Sequence, residues 1–210
     1  MCEMETVAAK WEVGHGNRPT ERDVEALYAD VEPLMTSSVA ATAEPIPGLH
    51  EALASFRNAG IRIGSCTGYT APIMAVLVAE ARKRGYAPES VVCPSDVPAG
   101  RPAPWMCYQN AMNLGVYPME AMVKIGDTVS DIQEGLNAGM WTIGVTKTGN
   151  EIGLTEAEVA ALAPAELRRR LDVVESRLRA AGAHYVTESI ASAPAAIAAI
   201  NARLARGERP

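Results

Sequence analysis

Five short apolar runs decide what this chain can become: "IRIGSC" (61–66), "SVVC" (90–93), "MVKIG" (122–126), "WTIGV" (141–145) and "HYV" (184–186). Each has the length of a strand. Between them lie segments with helical signals, 71–84 closing near Gly85, 104–115, 129–138 and 155–181, and a last helix falls near 190–205. Strands alternating with helices form βαβ units, and those units form a parallel sheet covered on both faces. Right-handed crossovers then wind the layer into an α/β, Rossmann-like doubly wound fold.

Ahead of the first strand the pattern is helical only. In "TERDVEALYADVEPLM" (20–35) Thr20 stands as N-cap with Asp23 in capping-box position. Pro45, Pro47 and Gly48 break the chain and start a helix that ends at Gly60. Residues 1–43 are therefore expected to form a separate helical lobe and 44–210 the sheet-bearing core, with "TAEPIPG" as the hinge.

At 210 residues and 48% hydrophobic the chain can bury one good core. A net charge of -6 argues against a nucleic-acid partner, which demands a basic face. The run Arg168-Arg169-Arg170 is diluted by Asp172 and Glu175 and reads as a solvated helix face. No apolar run approaches the roughly 20 residues needed to cross a bilayer, and the charged N-terminus does not read as a signal peptide. Cys2, Cys66, Cys93 and Cys107 lack CxxC spacing, which suits reduced thiols in a cytoplasmic protein. His15, His50 and His184 are scattered and suggest no histidine metal site.

In a doubly wound sheet the ligand sits beyond the carboxyl ends of the strands, so the residues just after each strand carry the chemistry. After the first come Thr67, Gly68 and Tyr69, where a hydroxyl beside a glycine suits an anion, although Thr-Gly is also an ordinary turn. After the second, Arg101 stands between Gly100 and Pro102, offering a planar fork of donors to phosphate oxygens or simply facing solvent. After the third, Asp127 ends the strand and Asp131 follows one helical turn later on the same face. An N-cap role for Asp127 accounts for one acid and not both, whereas Mg²⁺ held between them accounts for the pair.

A hydroxyl, a cation and a paired acid in that chain order resemble the second, third and fourth motifs of the haloacid dehalogenase superfamily. More closely, "IGSCTGYT", "DVPAGRPAPWMCYQNAMNLGVYP" and "VKIGDTVSDIQEGLNAGMWTIGV" resemble the phosphonoacetaldehyde hydrolase (phosphonatase) family, over essentially the whole chain. The resemblance implies a haloacid dehalogenase-like core with a partial helical cap and a homodimer formed through that cap. It implies cleavage of the C–P bond of phosphonoacetaldehyde through imine and aspartyl-phosphate intermediates, with Mg²⁺ as cofactor. Asp127 and Asp131 would hold the metal, and Thr67, Gly68, Tyr69 and Arg101 the phosphoryl group.

Two of that family's catalytic groups have no match here. Its nucleophile is an aspartate at the end of a first strand, in a D-x-A-G-T motif, and none of the six aspartates has that setting. Its imine-forming lysine belongs to an earlier part of the cap than the segment holding Lys10, so Lys10 does not correspond to it. The chain is expected to begin inside the cap, to lack the first strand of the core, and to be inactive alone. In the superfamily that strand lies between the ones ending at Thr67 and Asp127. The competing expectations are a sugar-phosphate phosphatase or mutase of the same superfamily, and a non-catalytic phosphate-binding or dimerisation module.

Overall fold

The structure is a computed structural model that describes residues 11–41 and 43–210. Helix α1 (Glu21–Val39) starts at a reciprocal capping box. The Asp23 N–H donates to Thr20 Oγ1 at 3.3 Å, and the Thr20 N–H donates to Asp23 Oδ2 at 2.8 Å. It runs on through Pro33, beyond the expected end at 35. Then follow α2 (Leu49–Asn58), β1 (Gly64–Cys66), α3 (Ala71–Lys83), β2 (Ser90–Val92), α4 (Trp105–Leu114), β3 (Val123–Gly126), α5 (Val129–Asn137) and β4 (Trp141–Val145). The chain closes with α6 (Glu156–Ala161), α7 (Pro164–Ala180), β5 (Tyr185–Thr187) and α8 (Ala193–Ala205).

The single helix expected over 155–181 is two helices. Leu162 and Ala163 are extended, with ψ of 142° at both, and Pro164 opens α7 at its first turn. A proline disfavours helical backbone in the residue before it, which is the reason for the break. The last expected helix is likewise preceded by a short 3-10 turn, Ile190–Ser192.

All strand pairs are parallel, but they make two ladders. β1 pairs with β2, and β3–β4–β5 form a separate three-stranded sheet. β1 and β3 do not pair, yet Ile61 and Ile63 beside β1 pack on the same apolar cluster as Val123 and Ile125 of β3. That cluster joins Ala52 and Phe56 of α2 to Trp141 and Ile143 of β4 and Ile197 and Ile200 of α8. A second cluster, Ile132, Leu171, Val174 and Leu178 among others, brings α5 and α7 together. Helix α1 packs on α3, and the Arg84 guanidinium reinforces this lobe by donating to the Ala40 carbonyl at 3.1 Å.

Candidate active site

β1 ends at Cys66, and the next residue turns the chain out of the sheet. The Thr67 N–H still donates to the Val92 carbonyl at 3.3 Å, while its Oγ1 accepts the Tyr69 N–H at 3.2 Å. That side-chain turn leaves Gly68 and Tyr69 exposed at the mouth of a cavity of about 360 Å³. Val39 of α1, Thr67, Tyr69, Met74 and Tyr86 are among its walls, so it lies between α1 and the segments that follow β1. Arg101, Asp127 and Asp131 do not line it.

Those three residues meet elsewhere, at the ends of β1 and β3. Arg101 donates from Nη2 to the Cys66 carbonyl at 3.0 Å and sets Nη1 2.9 Å from Asp131 Oδ1. Its Nε lies 3.4 Å from Glu134 Oε2, an ion pair without a hydrogen bond. One guanidinium thus ties the tip of the two-stranded ladder to the helix that follows β3.

Asp131 is reached because Gly126 lets strand and helix touch: a Cβ on Gly126 would lie 2.2 Å from Asp131 Cβ. The helix is capped by Thr128 and not by Asp127. Asp131 Oδ2 accepts from Thr128 Oγ1 at 2.7 Å, completing a capping box, and Oδ1 also lies 3.3 Å from Lys124 Nζ. Lys124 in turn donates to Glu134 Oε2 at 2.5 Å, with both side chains buried. Burial alone would depress the Lys124 ammonium, but the Cys66, Glu134 and Asp131 negative charges outweigh it and push its pKa up. For Asp131, burial favours the protonated form; Lys124 and Arg101 overcome it and hold the carboxyl below its usual range.

Asp127 is in the opposite situation. Burial first, and the neighbouring Asp131 charge after it, push its pKa up against the pull of the Asn150 N–H, which donates to Oδ2 at 2.6 Å. Among the described residues it has no ion pair. Gly149 permits this close turn, since a Cβ there would stand 2.5 Å from Asp127 Cβ. A half-buried carboxylate beside a second acid and without an ion-pair partner among the described residues fits a hard divalent ion, which takes oxygen ligands. Asp131, with both oxygens bonded, fits the role of positioning partner to that ligand.

The arrangement therefore brings Arg101, Asp127 and Asp131 together, and Thr67 adjoins them through the Cys66 carbonyl. Lys124 and Glu134 were not among the sequence candidates. A lysine inside an otherwise apolar strand was the available signal for the first, and Glu134, three residues after Asp131 on the same helix face, for the second. Lys10 lies outside the described residues.

The profile of the haloacid dehalogenase-like hydrolases matches residues 6–139. The whole chain is 58% identical to the phosphonoacetaldehyde hydrolase of Nitratidesulfovibrio vulgaris (strain DSM 19637 / Miyazaki F), covering 75% of that protein. This chain belongs to the haloacid dehalogenase-like hydrolases. A second hydrolase of this family, the phosphonoacetaldehyde hydrolase of Bacillus anthracis, is 50% identical over 190 residues, which are 90% of this chain and 72% of that one. Among solved structures, a phosphonoacetaldehyde hydrolase-like protein from Oleispira antarctica superposes with a TM-score of 0.91 at 39% identity, covering 98% of this chain and 75% of the other. The α/β fold expected from the strand–helix order, and its haloacid dehalogenase-like form expected from the motif resemblance, are thus the fold of the chain. No helix among the described residues is long and apolar enough to cross a membrane.

Proposed function

We propose that the chain is the core, with part of the helical cap, of a Mg²⁺-dependent phosphonoacetaldehyde hydrolase, which splits the C–P bond of phosphonoacetaldehyde into acetaldehyde and phosphate. The observation that carries this reading is the 58% identity along the full chain to a protein of that name; the meeting of Arg101, Asp127 and Asp131 at the strand ends supports it. Thr67, Gly68, Tyr69 and Arg101 take the phosphoryl oxygens, Arg101 through the guanidinium nitrogens that now face Cys66 and Asp131. Asp127 is the ligand for Mg²⁺, and Asp131 fixes Arg101 and Lys124 around it. Bound there, Mg²⁺ supplies positive charge against the phosphoryl oxygens.

The reaction also needs an aspartate nucleophile and an imine-forming lysine. Direct cleavage would expel a carbanion, whereas a protonated imine turns the leaving group into an enamine. No residue of this chain is assigned to either role, so the chain alone is expected to be inactive. Among the described residues β1 pairs only with β2 and β3 only with β4, and the nucleophile belongs on a parallel strand between β1 and β3. Residues 1–43 belong to the helical cap, through which the cytoplasmic protein dimerises.

Binding separates the readings. By calorimetry, phosphonoacetate should bind the folded chain only with Mg²⁺ present, and Arg101→Lys should weaken it by about tenfold or more through lost charge-assisted bonds. Phosphate release from phosphonoacetaldehyde should stay at background. Binding indifferent to both Arg101→Lys and Asp127→Asn, with circular dichroism unchanged, would remove the assigned site. Tighter binding of glucose 1-phosphate than of phosphonoacetate would favour a sugar-phosphate enzyme instead.

A further inference from the structure

One group of reactive side chains has no part in that chemistry. Cys66 at the end of β1 and Cys107 in the first turn of α4 place their sulfurs, with a Glu134 carboxylate oxygen, within 4.8 Å of one another. Both are free thiols. They differ in access: Cys66 lines the 360 Å³ cavity beside α1, while Cys107 is 2% exposed. Cys93, also buried, stands outside this group.

We propose that Cys66 and Cys107 form a hydroperoxide-reactive dithiol that closes into an intramolecular disulfide, with Cys66 attacking and Cys107 resolving. The surroundings suit those roles. A hydrogen bond from Cys107 first, and the Lys124 ammonium after it, bring the Cys66 thiol down to about 7 against the effect of burial. The same contact and burial push Cys107 up, leaving it protonated. Asn110 Nδ2 adds a donor 3.2 Å from Cys66 Sγ. A thiolate stabilised beside a cation and reachable from solvent is the reactive member of such a pair.

The chemistry balances in two steps. The Cys66 thiolate attacks one oxygen of the hydroperoxide; the O–O bond breaks, an S–O bond forms, and the departing alkoxide or hydroxide takes up the proton that Cys66 lost. The Cys107 sulfur then attacks the Cys66 sulfenic sulfur. An S–S bond forms, the S–O bond breaks, and the hydroxyl leaves as water with the Cys107 proton. The hydroperoxide is reduced to an alcohol or water, and the two thiols are oxidised. The product ties the tip of β1 to α4. Cys66 carries the carbonyl that holds Arg101 and precedes Thr67, so oxidation restrains two of the proposed phosphoryl contacts.

The test uses the reduced full chain and hydrogen peroxide at neutral pH. The expected result is loss of two thiols, a Cys66–Cys107 disulfide in the peptide map, and reversal by dithiothreitol. Cys107→Ser should stop at a sulfenic acid on Cys66 that dimedone traps. With Cys2 and Cys93 replaced by serine in both proteins, Cys66→Ser should consume peroxide at least about tenfold more slowly, because the remaining Cys107 thiol is buried and protonated. A disulfide between other cysteines, or equal rates for Cys66→Ser and the parent, would overturn the proposal. So would the same Cys66–Cys107 selectivity in urea, since the pairing would then owe nothing to the fold. A zinc ion that co-purifies and shields both thiols would overturn it in favour of a metal site built from the two sulfurs and Glu134.

Discussion

The two parallel sheets are built from similar sequence and live in different surroundings. Every residue of β4 is buried, with Trp141 and Ile143 fully so, because the strand has a neighbour on each side and helices above and below. In β1 no residue is buried, and β3, at the facing edge, buries only Lys124. Apolar side chains alone therefore do not make a strand interior; a partner on both edges does. At the junction the molecule substitutes charge for backbone pairing. Arg101, Lys124, Asp131 and Glu134 connect β1, β3 and α5 where ladder hydrogen bonds do not.

If that junction carries real energy, removing one member should do the most harm. Lys124→Met leaves Glu134 without its hydrogen-bonded partner, with only the Arg101 guanidinium at 3.4 Å, and weakens the hold on Asp131; breaking a buried pair from one side costs about 3–5 kcal/mol. Urea unfolding should show it; a loss under about 1 kcal/mol would mean that water already reaches these charges.

The contrast between interior and edge comes next. Ile143→Ala, at a fully buried site, should cost about 2–5 kcal/mol. Ile63→Ala, beside β1 and already partly exposed, should cost no more than about 1–2 kcal/mol. Equal losses would show that the two ladders share one protected core in solution.

The smallest effect belongs to the solvated face of α7. Glu166 takes hydrogen bonds from Arg169 and Arg170, which lower its carboxyl from 4.5 to about 2. A depressed folded-state pKa contributes stability that is complete above the unfolded value and is lost as pH falls through the folded one. The slight deficit in melting temperature of Glu166→Gln should thus be constant near neutrality and close between pH 4.5 and about 2. A deficit unchanged across that window would assign it to helix propensity and not to the ion pairs.

Much of this was legible in the residues. The strand at 141–145 came out with its expected ends, since five consecutive buried residues leave a continuous apolar run. The Thr20–Asp23 cap was equally plain, because its partners are three residues apart. Reading was poorer where the decisive partner is distant in sequence. Asp131 looked like half of an acidic pair, and its closest partners prove to be Thr128, Arg101 and Lys124. Lys124 and Glu134 find each other across ten residues, through the packing of α5 on β3. The break before Pro164 was in plain view and was outweighed by a helical pattern that continues on both sides.

For the metal and phosphoryl ligands proposed above, the charge quartet at the junction implies that each assists the binding of the other. Two cations and two anions cancel, and Asp127 then leaves the neighbourhood with a surplus of negative charge, to which an ionised Cys66 adds. A dianionic phosphoryl group entering alone meets repulsion, and a divalent ion entering alone lacks the oxygens to complete its shell. Each removes the other's obstacle, so their affinities must be thermodynamically linked, and by the same factor in both directions. Titrations of one at rising concentrations of the other would therefore trace a single coupling free energy, set by the local surplus of negative charge.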